Sequence, residues 1–124
     1  MPKGPFRVRN LATLDDHLSD TEASDISHYR ITLDDEGMYL VEERYEKGLV
    51  LKDRVEFTHA LDGQTAITTR KCFDSDGKYT GKVVGKFTPP DIHEAEVYDA
   101  EDNLTHKTDG LFKYTVMDGK PVLQ

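Results

Sequence analysis

The chain has 124 residues, 36% of them apolar, and its 24 acidic residues outnumber 16 basic ones for a net charge of −8. That length suits one domain with a hydrophobic core of its own. The composition argues against a bilayer-spanning helix, a disulfide scaffold, a collagen-like chain and a whole-surface nucleic-acid binder.

Residues 1–10 read as an N-terminal arm with two prolines, Pro2 and Pro5, and an extended piece at Phe6–Arg9. Basic residues here are followed by no apolar stretch of the roughly 7–15 residues a signal peptide needs. Residues 11–26 read as a short helix and a loop. Leu11, Leu14 and Leu18 share one helical face, Thr13 suits the N-cap, and Asp15 and Asp16 suit the first turn. The polar stretch 19–22 reads as loop.

From residue 27 to 124 the pattern becomes that of a β-meander. Tyr29, Ile31 and Leu33 alternate, and Asp34-Asp35-Glu36-Gly37 turns the chain into the run 38–45. Further strands are predicted at 49–61, 65–73, 79–87, 92–98, 104–107, 111–117 and 121–123. Four Asp-Gly dipeptides, at 62–63, 76–77, 109–110 and 118–119, lie between such runs. Asp-Gly suits the type I′ turn of a two-residue hairpin, where both central residues take positive φ. The intervals between turns are too short for crossover helices. The expectation is a mainly β single domain, residues 1–124: an antiparallel meander of eight to nine strands forming a rolled sheet or small barrel, with a short N-terminal helix. Gly81 and Gly85 would allow the 79–87 strand to bend sharply.

Three resemblances accompany this plan. Tyr79-Thr80-Gly81 followed by Gly85 resembles part of a MORN-type repeat. Tyr98-Asp99, Asn103-Leu104, Asp109-Gly110 and Tyr114 are similar to one YD-type hairpin repeat. Each occurs once, without the fixed period of such arrays, and reads as hairpin grammar. A short helix followed by eight or more strands also resembles small calycin-type ligand-binding barrels in architecture.

The chemical motifs are sparse. Asp74-Ser75-Asp76-Gly77 resembles the start of a calcium loop, but the frame puts Cys72 at the first ligand and Val83 at the twelfth, so it reads as a turn. The five histidines have no metal-ligand spacing, and His93 and Glu94 point to opposite faces of a strand. No metal and no cofactor is expected. Cys72, the single cysteine, excludes an internal disulfide and reads as a small side chain in a strand. No phosphate loop or nucleophile elbow is present, so the reading leans away from an enzyme. These features, with the absence of any apolar run beyond Met38–Val41, favour the cytoplasm.

Polar residues among the apolar positions of strands carry the site expectation. Asp53 and His59 alternate with Leu51, Val55 and Phe57, and Lys71 alternates with Ile67 and Phe73. Buried ionisable groups often mark a site, so Asp53, His59, Lys71 and Tyr79 are the candidate ligand-pocket residues, with aromatic side chains as walls. Charge is also segregated: residues 1–12 carry +3, 13–46 carry −9, 47–90 carry +3 and 91–124 carry −5. Asp15, Asp16, Asp20, Glu22, Asp34, Asp35 and Glu36 form the candidate acidic, partner-facing surface.

The leading expectation is a small non-catalytic protein holding a small molecule inside the sheet. The alternative is an acidic, immunity- or antitoxin-like module that steers a basic protein partner to itself. An enzyme of undefined class is third. Arg70, Lys71, Lys78, Lys82 and Lys86 beside Phe73, Tyr79 and Phe87 suit single-stranded nucleic acid, but the acidic remainder opposes that. No membrane partner is expected, and pairing of two copies through an edge strand is compatible with either leading reading.

Overall fold

A computed structural model describes residues 3–110, 114–117 and 119–123. The strands are β1 (Lys3–Val8), β2 (His17–Leu18), β3 (His28–Leu33), β4 (Tyr39–Glu46), β5 (Val50–Asp62), β6 (Thr65–Phe73), β7 (Tyr79–Thr88), β8 (Ile92–Tyr98), β9 (Leu104–Asp109), β10 (Tyr114–Met117) and β11 (Lys120–Leu123), with one helix, α1 (Asp20–Ser24). Among the described residues nine strands form one antiparallel sheet in the order β2-β1-β3-β4-β5-β6-β7-β8-β9, and β10 and β11 pair with each other in a second, two-stranded sheet. The chain is therefore mainly β and an antiparallel meander from β3 to β9. The end strands β2 and β9 are not paired with each other, and no barrel is closed among the described residues. No described helix is long and apolar enough to cross a membrane.

Three of the hairpin turns share one construction. Asp34, Asp74 and Asp99 each open a turn in which the amide of the fourth residue donates to the aspartate's carbonyl, as in Gly37 N–H to Asp34 O at 3.1 Å. One carboxylate oxygen of each aspartate accepts two backbone amides: from Glu36 and Met38, from Asp76 and Lys78, and from Glu101 and Asn103, all at 2.9–3.0 Å. The fourth position is left-handed: Gly37 at φ 83°, Gly77 at φ 80° and Asp102 at φ 60°. The expected type I′ geometry is thus replaced at 76–77, where glycine alone takes positive φ. At 62–65 the sheet register makes Gly63 and Gln64 the two loop residues, again with only the glycine at positive φ. Asp118 of the fourth dipeptide and the 111–113 part of the predicted 111–117 strand lie outside the described residues.

This turn chemistry makes a prediction. Asp34→Ala removes an acceptor serving two amides and should lower stability by roughly 1 kcal/mol. Glu36→Ala next to it should stay within about 0.5 kcal/mol. Urea unfolding midpoints compare the two, and equal midpoints would refute the assignment.

The helix differs from the expectation. It spans Asp20–Ser24, not 11–18, and Ser19 caps it in a reciprocal box with Glu22. Ser19-x-x-Glu22 is the sequence signal of that start, and the loop reading of 19–22 passed over it. Leu11 and Leu14 come from turns to pack, with Phe6, Tyr29 and Tyr39, on the buried cluster of Val8, Ile31 and Leu33. Leu18 stands opposite Arg7 in the edge strand β2. Of three leucines at helical spacing, two satisfied a core from turns and the third lies in an edge strand.

The registers define two faces of the sheet. Glu42 and Arg44 of β4 stand opposite Val55 and Asp53 of β5. Val55 and Phe57 stand opposite Cys72 and Arg70 of β6, and these stand opposite Gly81 and Val83 of β7. Directly opposed residues point to one side, so all of them share a face with Thr68, Gly85 and Ala95. This is the face on which β10–β11 lies, held by Thr80 Oγ donating to the Gly119 carbonyl and by Arg44. On the other face Glu43 sits between Arg30 and Arg54, at 3.6 and 3.1 Å, and Lys86 meets Glu96 at 3.3 Å. A bulge at Lys52 changes the alternation of β5, so Leu51 pairs with Tyr45 and points away from Asp53 and Val55.

Candidate functional site

Between the hairpin β10–β11 and the middle of the sheet lies a cleft of about 480 Å³. Its floor comes from Glu42, Val55, Phe57, His59, Thr68 and Arg70, and Tyr114 and Val116 of β10 overhang it. Met38 and Tyr39 close its β4 side. A second hollow of about 260 Å³ opens on the far flank of Tyr114, with Phe87, His93 and Ala95 in its wall. Thr68, Arg70 and Tyr114 line both.

The overhang is anchored by a buried ion pair. Asp53 is 1% exposed and takes Arg44 Nε on both oxygens, at 2.7 and 3.0 Å, with Arg44 Nη2 on Oδ2 as well. That same Nη2 donates to the Val116 carbonyl at 2.5 Å. Hydrogen bonding to Asp53 raises the Arg44 pKa above its ordinary value, against a desolvation that lowers it. The arginine therefore stays charged and ties β4 and β5 to β10. Both oxygens of Asp53 are thereby engaged by Arg44.

His59 is equally committed. Its Nε2 donates to the Tyr39 carbonyl at 2.7 Å, which leaves Nδ1 to accept from the Thr68 hydroxyl at 3.4 Å. Its ring stacks at 6.3 Å on Phe57, and Phe57 meets Tyr39 edge-on at 5.5 Å. Tyr39, Phe57 and Tyr114 thus give the cleft aromatic walls.

Two side chains keep their polar groups open to the cleft. The Arg70 guanidinium lies 5.7 Å from the Phe57 ring and 5.8 Å from the Tyr114 ring. No described residue accepts a hydrogen bond from it. Glu42 stands opposite Val55, and no described residue donates to its carboxylate. Burial raises the Glu42 pKa above the usual carboxylate value, opposed by the nearby Arg44 and Arg70. Tyr114 is pushed up to about 12 by burial, as is the Cys72 thiol. Cys72, fully buried behind the hairpin, is therefore a neutral packing group and a poor nucleophile.

The structure divides the four side chains expected in the pocket. Asp53 and His59 are on the hairpin face, the first inside the clamp and the second in the cleft wall. Lys71 stands opposite Glu56 and Lys82 on the other face and is exposed. Tyr79 lies at the end of β7, where its hydroxyl donates to Asp102 at 2.6 Å; burial and this bond raise its pKa. Arg70, Glu42 and Tyr114 take their places at the cleft. A parity signal could have found Arg70: any two-residue loop between β5 and β6 pairs odd residues of one with even residues of the other, which puts Arg70 with Phe57.

The seven acidic residues also separate. Val8 stands opposite His17 and Tyr29, while Lys3 stands opposite Leu33. Asp15 and Asp16 therefore lie beyond one end of β1 and Asp34, Asp35 and Glu36 beyond the other, about 17 Å apart along the strand. Asp20 pairs with Arg7 at 3.1 Å, Glu22 completes the helix cap, and Asp34 serves its turn. Of the basic group, Arg70 is on the hairpin face, and Lys71, Lys82 and Lys86 are on the other. Among the described residues, no three His, Cys, Asp or Glu side chains gather closely enough to hold a metal ion.

No family model, characterised protein or solved structure matches the chain.

Proposed function

We propose that this chain is a small binding protein that holds a small molecule in the cleft between the hairpin β10–β11 and strands β4–β6, without chemistry of its own. In this reading the sheet curls about the hairpin, and the cleft is the inside of an open roll. The observation that carries it is the cleft's size and lining: about 480 Å³, within the roughly 300–1,000 Å³ of ligand pockets, with aromatic walls and few polar groups converging. The groups with catalytic potential are engaged otherwise, His59 by two hydrogen bonds and Cys72 by burial. The acidic-module reading has less behind it, because three of its seven carboxylates serve local structure and the groups lie at opposite ends of β1.

Thermal-shift screening against a metabolite library tests the proposal. A ligand at 100 times its Kd stabilises by about 2.7 kcal/mol, so a rise of several degrees in Tm is expected. Tyr114→Ala, which removes the overhanging ring, should abolish that rise while its own unfolding stays cooperative. A hit whose effect survives Tyr114→Ala would place the ligand elsewhere. A library without hits beside a stoichiometric basic partner in a pull-down would replace this reading with the interaction module.

A further inference from the structure

The chemistry of the cleft goes further than its volume. Arg7, Arg30, Arg44 and Arg54 each meet a carboxylate within 3.6 Å. Arg70 meets none among the described residues. It is nevertheless held in place: Phe57 is beneath it, Tyr114 faces it, and its Nη1 passes 3.4 Å from where a Cβ of Gly85 would stand. The guanidinium thus lies over the backbone of Gly85. A guanidinium fixed between rings has its planar fork of donors oriented in advance, and that fork matches a carboxylate.

Resting on the reading that the cleft holds a small molecule, we infer that its ligand is a flat monocarboxylic acid, the carboxylate on Arg70 and the apolar body among Tyr39, Phe57 and Tyr114. Arg70 supplies the carboxylate preference, and the count of charges limits the ligand to one negative charge. Asp53 is neutralised by Arg44, and Glu42 offsets Arg70 across the cleft. A phosphate dianion would bring two further charges against one guanidinium in a half-buried site. A cation would have to displace Arg70 from the aromatic faces it already covers.

Glu42 then becomes a coupled group. Facing it are Tyr39 and Arg44 from its own strand, Asp53 and His59 from β5, Arg70 and Cys72 from β6 and Tyr114 from β10, with Tyr29 of β3 beside Arg44. A ligand carboxylate on Arg70 takes away the cation that favours ionised Glu42 and adds a like charge. The pKa of Glu42, already raised by burial, rises further in the complex. The complex therefore binds more protons than the free protein, and affinity falls as pH rises through the raised Glu42 range.

The test is calorimetric titration with three probes of one skeleton: 2-naphthylacetate, 2-naphthylacetamide and 2-(2-naphthyl)ethylamine. The acetate should bind at least about tenfold tighter than the amide, as a charge-assisted hydrogen bond predicts, and the amine should be weakest. Arg70→Gln should erase the preference for acetate over amide, while the amide changes less than about threefold. Glu42→Gln should tighten the acetate by roughly tenfold and abolish the proton uptake seen by comparing two buffers of different ionisation enthalpy across a pH series above the ordinary carboxylate range. If the amide or the amine binds as well as the acetate, the charge assignment falls and the cleft reading stands. If none of the three binds at millimolar concentration, or if binding ignores Tyr114→Ala, the cleft reading falls too. The probe ranking on the unaltered protein decides the matter even where a variant does not fold.

Discussion

Asp53→Ala is expected to remove about 3 kcal/mol of folding stability, the low end of what breaking a buried ion pair costs. The low end applies because the Arg44 side chain is 26% exposed and recovers some hydration, whereas Asp53 is almost wholly enclosed. The loss has two parts. Arg44 is left half-buried without its carboxylate, and its bond to the Val116 carbonyl loses the geometry that Asp53 imposes. For a chain of this size 1 kcal/mol corresponds to roughly 3–5 °C in Tm, so a fall of about 9–15 °C should appear on thermal unfolding. A double-mutant cycle with Arg44→Met separates the pair from general packing. A coupling energy under about 0.5 kcal/mol would show that the clamp does not hold the hairpin, and the cleft would then lack its anchored roof.

Gly81→Ala should be comparably severe, at about 3 kcal/mol or more. Gly81 has φ 141° at the irregular step in the β6–β7 register, and a Cβ there would run into the Tyr98 carbonyl. Left-handed strain accounts for about 1–3 kcal/mol. The collision adds to it, because the obstacle is backbone and can yield only by displacing the end of β8. Gly37→Ala is the matched control: φ is 83°, but nothing lies within 4 Å of the added Cβ. It should lose only about 1 kcal/mol. Chemical denaturation of the two variants measures the difference, and equal losses would mean that conformational strain alone decides both sites.

The meander was legible because its causes are local. Alternation of apolar and polar residues marks each strand, and an aspartate three residues before a glycine or Asp102 supplies a turn that its own carboxylate completes. The same locality explains where the reading went astray. Asp34, Asp35 and Glu36 counted as surface charge, yet Asp34 is part of a turn. Leu11, Leu14 and Leu18 kept helical spacing, but two of them reach the Val8–Ile31–Leu33 cluster from turns, and the cap that starts a helix lies at Ser19. Lys71 was grouped with Asp53 and His59 because Ile67 and Phe73 suggested the buried parity of β6. Pairing with β5 selects the other parity, that of Ala66, Thr68, Arg70 and Cys72.

The sequence by itself determined the mainly β class, the order of β3 to β9 and the antiparallel sense of their pairing, because hairpin turns act over four or five residues. Only the tertiary structure decided which face β10–β11 covers, that this hairpin leaves the meander, and that Arg44 and Asp53 join it to the sheet. Those depend on contacts between residues as far apart as Arg44 and Val116, which no local pattern records. The cleft, with Glu42 and Arg70 left facing it, is a consequence of that long-range docking. Net −8 describes the whole chain; the charge that would matter for a ligand is the balance of four side chains beneath one hairpin.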